Sequence, residues 1–457
     1  MRVLIISGTF LPLSASRFQM SPSGAAYVAG AARKANHTVE IFDCYVAPNL
    51  IEELEEKLSK FSPDVVGLSI TTVTSDFRDT ESDFGTKYID MRPKIKSIVD
   101  TIKQNTTAQI VLGGAGFNYY AKEWLEYLDL DYGLRGESEY SFPQYLKRLQ
   151  NKGDIYSVPG CVFKKEGKIN QIQRDRISNL DGTAYPAYDL FEYSKYNQQN
   201  VAYAVYSKRG CAFRCTFCPH SSLEGTRYRL KPPERVVNEI EYVIEATKSN
   251  RINFCDNSFN CPKLHAEAIC KEIIKRRLKL KWRSGAIKPL KITKDFCGLM
   301  KESGCDYIGL SIETASEKML ENMNRGYSVS DIREALDNLS NSDITFGLSI
   351  LIGAPGETPG TISETFDIVD SYPMIDSIWI NIGLYLWTHH QAVLEVARKD
   401  GQLKNEQELF DGAYYISPEL PKPYMIKFIE SMRAKRNCAV QVNKPYKEYS
   451  KRVNSSK

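Results

Sequence analysis

The chain alternates short runs of β-branched residues with amphipathic runs of helical length, and this alternation restricts its fold more than any other feature. Up to about residue 150 the pattern predicts five strand–helix repeats, as in a parallel sheet covered by helices. The predicted strands are 2–7, 38–43, 65–70, 109–114 and 132–137, and the predicted helices are 24–34, 51–60, 87–103, 121–128 and 139–150. We therefore expect an α/β, flavodoxin-like (Rossmann-like) domain, whose functional crevice lies at the carboxyl ends of the strands where strand order reverses.

A second α/β series begins at residue 201. Its predicted strands are 201–207, 251–255, 280–285, 307–312, 345–352 and 377–384. Six such units predict a partial (β/α)6 barrel. The expected domains are 1–150, a connector at 151–200 with a strand candidate at 160–164, the barrel at 201–385, and a polar, Lys-rich C-terminal region at 386–457 with one helix candidate at 424–433.

Length and composition indicate a folded protein of two or three domains. The 457 residues carry 60 Lys and Arg against 56 Asp and Glu, so the net charge of +4 gives no sign of a nucleic-acid partner. The longest apolar runs are far below the roughly 20 residues that cross a bilayer, and no export signal is visible. Eleven cysteines in such a chain favour reduced thiols and a cytoplasmic location.

The strongest chemical signal is the loop that contains Cys211, Cys215 and Cys218, which follows a predicted strand with the spacing Cys-x3-Cys-x2-Cys. Three thiolates on one loop can hold three irons of a 4Fe-4S cluster, and the fourth iron stays open to a ligand. Two alternatives remain at this stage. His220 could complete a Cys3His zinc site, or core cysteines could cluster by chance.

This loop resembles the hallmark of the radical S-adenosylmethionine superfamily, Cys-x3-Cys-x-aromatic-Cys, with Phe217 at the aromatic position. The segments 254–256, 309–313 and 353–358 lie at family-like positions. The resemblance implies that the open iron chelates the amino and carboxylate groups of S-adenosylmethionine (SAM). The residues that it implies for SAM binding are Phe217, Asp256, Ser311, Glu313 and Ile352. Glu313 could instead form a barrel-mouth salt bridge, and 353–357 could be a plain turn.

Residues 1–150 resemble the cobalamin-binding domain that precedes the radical core in one branch of this superfamily, the class B radical SAM methyltransferases. The matching segments are 22–29, 63–69, 112–114 and 135–139. Small residues would let a large planar corrinoid or flavin approach the backbone, and hydroxyl groups would contact it. The candidate cobalamin-binding residues are Ser69, Thr71, Thr72, Gly113, Gly114, Gly116 and Glu137. A domain that serves only as a scaffold is the alternative.

One departure from related cobalamin domains concerns the loop after the first strand. Cobalamin mutases and methionine synthase-like domains carry Asp-x-His-x-x-Gly there, and its histidine ligates cobalt from below. The corresponding residues 8–22 contain no histidine. We therefore expect that no protein imidazole binds the lower face of a bound cobalamin.

Other candidate residues follow the barrel strands. Trp387, His389 and His390 stand beyond the last predicted strand, where they could line a substrate site or form an ordinary surface loop. Arg325 and Gly326 could cap a helix or contact the SAM carboxylate. The remaining cysteines have irregular spacings, and we interpret them as small buried hydrophobes; they are Cys44, Cys161, Cys255, Cys261, Cys270, Cys297, Cys305 and Cys438.

Taken together, the resemblances imply a cobalamin-dependent radical SAM enzyme, most simply a C-methyltransferase. A 5'-deoxyadenosyl radical would take hydrogen from an unactivated carbon, and methylcobalamin would donate the methyl group. The implied cofactors are a 4Fe-4S cluster, SAM and cobalamin. The implied partners are a small-molecule or natural-product substrate and a reductant such as flavodoxin or ferredoxin, with no nucleic acid and no membrane span. The alternatives are rearrangement, cyclisation or oxidation without methyl transfer, and a non-catalytic Fe-S or corrinoid-binding protein.

Overall fold

The computed structural model describes residues 1–8, 20–71, 74–78, 86–435 and 439–443. The chain packs as two compact units. The first contains Met1–Ser75, Ile89–Val205 and Asn238–Arg251, and the second contains Asp76–Tyr88, Tyr206–Val237 and Ile252–Lys457. No helix in the described part of the chain is both long and apolar enough to pass through a bilayer.

Up to residue 205 the strands alternate with helices much as predicted. The strands are β1 Arg2–Gly8, β2 Thr38–Asp43, β3 Val65–Ile70, β4 Thr74–Arg78, β5 Thr86–Asp90, β6 Gln109–Gly113, β7 Tyr132–Leu134, β8 Cys161–Lys165, β9 Lys168–Gln171 and β10 Tyr203–Val205. The helices are α1 Ser23–Lys34, α2 Leu50–Phe61, α3 Arg92–Asn105, α4 Ala115–Tyr119, α5 Ala121–Leu128, α6 Ser138–Gln150 and α7 Tyr193–Gln198.

The first sheet has the order β2-β1-β3-β6-β7-β8-β9. The five strands β2, β1, β3, β6 and β7 pair parallel in that order, and β8 and β9 continue the sheet antiparallel. The apolar runs of β1 and β3 are almost wholly buried, as expected for a sheet with both faces covered. The chain passes to β2 on one side of β1 and to β3 on the other, so strand order reverses between β1 and β3. The doubly wound α/β fold is confirmed.

Two details of this region differ from the prediction. The predicted helix at 87–103 begins only at Arg92, because Thr86–Asp90 forms strand β5, which pairs with β4. The strand candidate at 160–164 is β8. It is not an isolated connector strand, because it extends the first sheet beside β7 with Gly133 opposite Val162. Local patterning could not reveal this pairing, since it depends on a distant partner.

From residue 206 onward the remaining strands and helices follow. The strands are β11 Lys208–Arg209, β12 Arg229–Leu230, β13 Arg251–Phe254, β14 Lys281–Ile287, β15 Cys305–Glu313, β16 Thr345–Ile352, β17 Ser377–Ile382, β18 Leu384–Tyr385, β19 Tyr414–Tyr415 and β20 Ala439–Asn443. The helices are α8 His220–Glu224, α9 Pro233–Thr247, α10 Lys263–Lys275, α11 Lys294–Glu302, α12 Glu317–Asn322, α13 Val329–Ser340, α14 Pro359–Val369, α15 Gln391–Lys399, α16 Gln407–Phe410 and α17 Lys422–Lys435.

The second sheet has the order β10-β13-β14-β15-β16-β17-β20 among the described strands. The pairs from β14 to β20 are parallel, which confirms the α/β architecture predicted for this region. Strand β20 was not predicted. This strand lies in the polar C-terminal region and pairs with β17 from Ser377 opposite Ala439 to Asn381 opposite Asn443. The helix predicted at 424–433 is α17.

Candidate cluster and cofactor sites

The three-cysteine loop connects two short strands. Strands β11 and β12 pair antiparallel, and the residues between them include Cys211, Cys215 and Cys218. Gly210 opens the loop with φ +82°, and a Cβ atom there would lie 2.1 Å from the carbonyl oxygen of Arg227, so only glycine fits. The amide of Cys211 donates to Gly225 O at 3.0 Å, and that of Cys218 donates to Cys215 O at 3.2 Å. The backbone therefore folds all three cysteines into one compact loop.

The three thiols share one electrostatic environment. Cys211 and Cys215 are buried and Cys218 is half-buried, all without disulfides. Burial raises the pKa of Cys218 to about 11; among its smaller influences, the nearby Cys215 and Cys211 raise the pKa and the Lys288 ammonium lowers it. Burial also raises the pKa of Cys211, and Lys288 again opposes this. Metal ligation requires thiolates, so nearby cations favour the ligating form.

The chemistry of this donor set fits an iron-sulfur cluster. Three thiols lie together with cations beside them, and a cluster held by three thiolates carries negative charge. The described parts of the chain contain no group of three His, Cys, Asp or Glu side chains that could hold one metal ion. Cluster ligands bind different irons and therefore need more separation than ligands of a single ion. The zinc alternative with His220 thus has no geometric support in the described residues.

Arg325 is the centre of the polar contacts behind the loop. Its side chain is only 1% exposed, and its guanidinium donates to Cys215 Sγ at 3.1 Å and to Ser311 O at 2.8 Å. Its Nε donates to the Tyr327 hydroxyl at 2.7 Å. Burial acts to lower the pKa of Arg325, but Tyr327, Glu313 and Cys215 raise it overall, so the group stays charged. Arg325 therefore brings a fixed positive charge to a cysteine sulfur.

Three of the residues implied for SAM binding surround this guanidinium. The centre of the Phe217 ring lies 5.3 Å from the Arg325 guanidinium carbon. The carbonyl oxygen of Ser311 accepts a hydrogen bond from the same guanidinium. Glu313 ends β15 with φ +60°, and its carboxylate lies 3.7 Å from Arg325 Nη2. A strained backbone at the carboxyl end of a barrel strand is typical of functional positions. Glu313 therefore also forms an ion pair with Arg325, which was the alternative role predicted for it.

The other two residues implied for SAM binding occupy different surroundings. The Asp256 carboxylate is fully buried, accepts from the Ser207 amide at 2.8 Å and lies 3.2 Å from Lys208 Nζ. It therefore ties β11 to the end of β13. Ile352 is 1% exposed, and the two-residue period of a strand places it on the same face as Ile350, opposite Ser349. The structure brings neither side chain to Arg325.

The aromatic and histidine residues after β17 lie beside the cysteine loop. The rings of Tyr385 and Trp387 are 4.3 Å apart, and those of His389 and His390 are 5.2 Å apart. Burial lowers the pKa of His390, and a contact with the backbone of Cys218 partly opposes this. His390 is therefore adjacent to the third cysteine.

In the first unit, the candidate cobalamin residues lie at the carboxyl ends of β3 and β6. Ser69 pairs with Gly113 across these strands, and Thr71 is exposed just beyond β3. Thr72 lies outside the described residues. A Cβ atom on Gly113 would meet its nearest neighbours, Ser138 Oγ and Leu134 O, at 3.7 and 3.8 Å. These are ordinary van der Waals distances, so a Cβ atom at Gly113 would fit without a clash.

The other small and acidic candidates in this unit have structural partners. Gly114 has φ +91°, and a Cβ atom there would lie 2.4 Å from Ile70 O, so strand packing by itself requires glycine. Gly116 is buried within α4. The Glu137 carboxylate accepts from the Ile177 amide at 2.7 Å. Of these two glycines only Gly113 would accept a Cβ atom without a clash, so glycine is not required there by strand packing, as it is at Gly114.

The sequence did not single out Lys288, which the structure places beside the cysteine loop. It is 7% exposed, and the charges of Cys215, Glu313 and Cys211 act on its ammonium group. Its only sequence signal is its place directly after β14, at the end of a barrel strand where functional residues gather. Asp256 shares that kind of position but points elsewhere, so position alone could not identify Lys288.

Comparison with known proteins gives two family matches. The model of the radical SAM superfamily matches residues 205–369, and the model of the B12 binding domain matches residues 12–146. Both resemblances noted in the sequence are thereby confirmed.

Several individual proteins are also similar. An uncharacterized methyltransferase of Pyrococcus horikoshii is 28% identical over 75% of this chain and 72% of its own. The hopanoid C-3 methylase of Methylococcus capsulatus is 25% identical over 93% of this chain and 78% of its own. The anaerobic magnesium-protoporphyrin IX monomethyl ester cyclase of Cereibacter sphaeroides is 25% identical over 76% and 55%.

Among solved structures, the radical SAM methyltransferase TsrM from Kitasatospora setae, determined with cobalamin and a [4Fe-4S] cluster, superposes with a TM-score of 0.78. It is 18% identical, and the match covers 98% of this chain and 91% of that one. At this identity the likeness establishes a shared fold.

Proposed function

This chain is a radical SAM enzyme whose radical core follows a B12 binding domain, and from that premise we propose that it transfers a methyl group to an unactivated carbon of a small-molecule substrate. One observation carries the proposal. A single chain joins a three-cysteine loop beside a buried arginine to a doubly wound sheet in which Gly113, at the carboxyl end of β6, would accept a Cβ atom without a clash. Methylation of a carbon centre by radical chemistry uses both kinds of cofactor, whereas electron transfer by a cluster needs neither SAM nor cobalamin.

The residues of the chain would bind, orient and shield these cofactors. When bound, a 4Fe-4S cluster supplies an electron that cleaves SAM to a 5'-deoxyadenosyl radical, and cobalamin supplies the methyl group. Cys211, Cys215 and Cys218 would hold three irons and leave one open. Phe217 and Glu313 would contact SAM beside that iron.

Arg325 would keep this arrangement rigid. It joins the cysteine loop through Cys215 Sγ to the end of β15 through Ser311 O, so the ligand loop and the strand end cannot move independently. Burial of these groups also excludes water from the region where a reactive radical would form.

The substrate region would lie next to the cluster loop. His390 contacts the Cys218 backbone, and the rings of Tyr385 and Trp387 pack nearby on the same segment. Aromatic rings beside half-buried imidazoles suit a substrate with a flat or apolar body and a few polar groups. We include Trp387, His389 and His390 in the substrate site on this ground.

The chemistry also requires an electron donor. A one-electron reductant such as flavodoxin or ferredoxin fits this requirement, and a reducing compartment such as the cytoplasm fits the ten described cysteines, none of which forms a disulfide. We propose both as parts of the same function.

The names of the relatives support methyl transfer, and one of them also points to the main alternative reaction, ring closure. Two of them are named as methyltransferase or methylase, and the third is named as a cyclase. Ring closure with the same cofactors would leave the methyl group of SAM unused. Product analysis distinguishes these reactions, whereas cofactor content alone does not.

The first test asks whether the protein is a catalyst. Reconstituted, reduced protein incubated with SAM should form 5'-deoxyadenosine, measured by liquid chromatography. Cys218→Ala should lose the brown chromophore and this product, because one of three cluster ligands is gone. The matched control Cys255→Ala should retain both. A Cys218→Ala protein with an intact cluster and full cleavage would contradict the assignment of the loop.

A further inference from the structure

Lys288 is a buried lysine whose backbone is held in place from both sides. It directly follows β14, and its amide donates to Asn260 Oδ1 at 2.9 Å. The Asn260 amide group donates back to Lys288 O, also at 2.9 Å. Asn260 is itself 1% exposed. Both backbone groups of Lys288 are therefore fixed at the end of β14.

The Lys288 ammonium is directed toward the cysteine loop. Only 7% of the residue is exposed, and Nζ lies 5.6 Å from the centre of the Phe213 ring, which belongs to that loop. Burial and the Arg325 charge lower the pKa of Lys288, while Cys215, Glu313 and Cys211 raise it. Within the described parts of the chain, this ammonium has no hydrogen-bonded carboxylate.

An isolated buried ammonium is costly, so its presence indicates a negative partner. Arg325 already binds Cys215 Sγ and lies near Glu313, and this pairing accounts for one cation and one acid. Lys288 is then the extra positive charge beside the cysteines. A four-iron cluster on three thiolates carries net negative charge, and that charge increases by one on reduction. Lys288 is placed to offset this charge.

We propose that the charge of Lys288 offsets the negative charge of the cluster held by Cys211, Cys215 and Cys218 and thereby raises its reduction potential. This inference rests on the proposed function, because it requires a cluster at that loop. Potentials of such clusters respond to net charge, to hydrogen bonds at sulfur and to solvent exposure. In the step concerned, the cluster gains one electron, a one-electron reductant loses one, and no bond or proton changes place. Lys288 would act only through its positive charge beside the cluster, and it would not take part in bond making.

The test is a redox titration of three reconstituted variants without SAM. Lys288→Met removes the charge and keeps the volume, Lys288→Arg keeps the charge, and Lys263→Met is the matched control. Lys263 also lies over a phenylalanine, 5.6 Å from the centre of the Phe296 ring, but on α10. Reduction is followed by electron paramagnetic resonance with dithionite and viologen mediators, and iron and sulfide content is measured for each protein.

At the potential where half of the wild-type cluster is reduced, we expect the ratio of reduced to oxidised cluster to fall at least tenfold in Lys288→Met. For a one-electron couple this ratio corresponds to about 59 mV. Lys288→Arg and Lys263→Met should stay close to wild type. If Lys288→Met holds no cluster, Lys288→Gln is the second neutral variant. If both neutral variants fail to hold a cluster and Lys288→Arg retains it, this result also supports compensation of the cluster charge by Lys288.

Two results would overturn the proposal. One is an unchanged potential in a neutral variant with full iron content. The other is a shift that appears only after SAM is added, which would assign the ammonium to the SAM carboxylate. Absence of a cluster from the wild-type protein is a different outcome, because it would remove the proposed function itself.

Discussion

The carboxyl group of Glu357 is the most informative single titratable group outside the cysteine loop. It lies in the turn after β16, is 1% exposed, and accepts from the Gly353 amide, where φ is +103°. Ser417 donates to Glu357 O at 2.8 Å, which fixes the same turn. Burial raises the pKa of Glu357 from 4.5 to about 7. The turn at 353–357 is therefore held by an internal carboxyl group.

This raised pKa predicts a pH dependence of stability. Below pH 4.5 Glu357 is protonated in both states, whereas between pH 4.5 and 7 the unfolded chain ionises first. Its contribution to stability is therefore lost as pH rises through about 7, by up to about 3 kcal/mol at 1.36 kcal/mol per pKa unit. Glu357→Gln cannot ionise and should gain stability relative to wild type from pH 5 to pH 8. Urea unfolding of cluster-free protein at a series of pH values measures the free energy of unfolding of both proteins. A difference between them that does not change with pH would contradict the prediction.

The wild-type curve alone would not isolate Glu357. Burial also raises the pKa of Asp43 to about 6, so this group contributes in the same direction over part of the range. Because Asp43 is present in both proteins, the difference between them cancels its contribution.

The role of a single residue could be predicted from the sequence where its functional partners are its neighbours along the chain. The spacing of Cys211, Cys215 and Cys218 is visible within eight residues, and the fold brings their thiols together. Asp256 shows the limit. The family resemblance implied a SAM contact for Asp256, whereas its carboxylate forms a buried ion pair with Lys208, and the SAM contact stays a prediction. Lys288 shows the converse, since its environment comes from segments far apart in sequence.

At the scale of elements, the end of β6 carries two adjacent glycines with different requirements. Gly114 must be glycine because of its positive φ and the backbone of Ile70, whereas a Cβ atom at Gly113 would make only ordinary van der Waals contacts. A substitution at Gly114 therefore tests packing of β3 against β6. A substitution at Gly113 tests the space that we assign to cobalamin.

We expect substitutions at Gly114 to lower stability and substitutions at Gly113 to lower cobalamin retention. Gly114→Ala should destabilise the protein by about 1 to 3 kcal/mol through strain at positive φ and contact with Ile70 O. Gly113→Ala should change stability by less than about 1 kcal/mol, and Gly113→Val should keep the fold but lower the cobalamin retained after purification. Thermal unfolding and the cobalamin absorbance measure the two effects. A folded Gly113→Val protein with full cobalamin would exclude Gly113 from the binding surface.

Elements with strong local patterns were predicted well, and those stabilised by distant partners were not. The predicted strands of both sheets lie within a few residues of those observed. Strand β20 was missed because it is short, polar in part and held by β17, more than 50 residues earlier. Strand β5 was mistaken for the start of a helix because its residues Thr86–Asp90 continue into the amphipathic pattern of α3.

At the scale of the whole molecule, the cluster loop belongs to one compact unit, and the crevice that we assign to cobalamin belongs to the other. Residues 8–22 follow β1 and contain no histidine. We therefore predict that no protein imidazole binds the lower face of cobalt in bound cobalamin. We predict in addition that the dimethylbenzimidazole tail lies off the metal, beside the end of β6 at Gly113. Electron paramagnetic resonance of the Co(II) form should show cobalt lines without nitrogen splitting. Triplet splitting of each line would reveal an axial nitrogen and contradict this prediction.

The central claim is that this chain transfers the methyl group of SAM through cobalamin, and it can be tested without knowing the substrate. Reduced protein containing both cofactors is incubated with SAM that carries a deuterated methyl group. Mass spectrometry of the extracted cobalamin should show trideuteromethylcobalamin together with S-adenosylhomocysteine. Cobalamin that stays unlabelled, while 5'-deoxyadenosine accumulates in the same reaction, would show radical SAM chemistry without methyl transfer and would contradict the account.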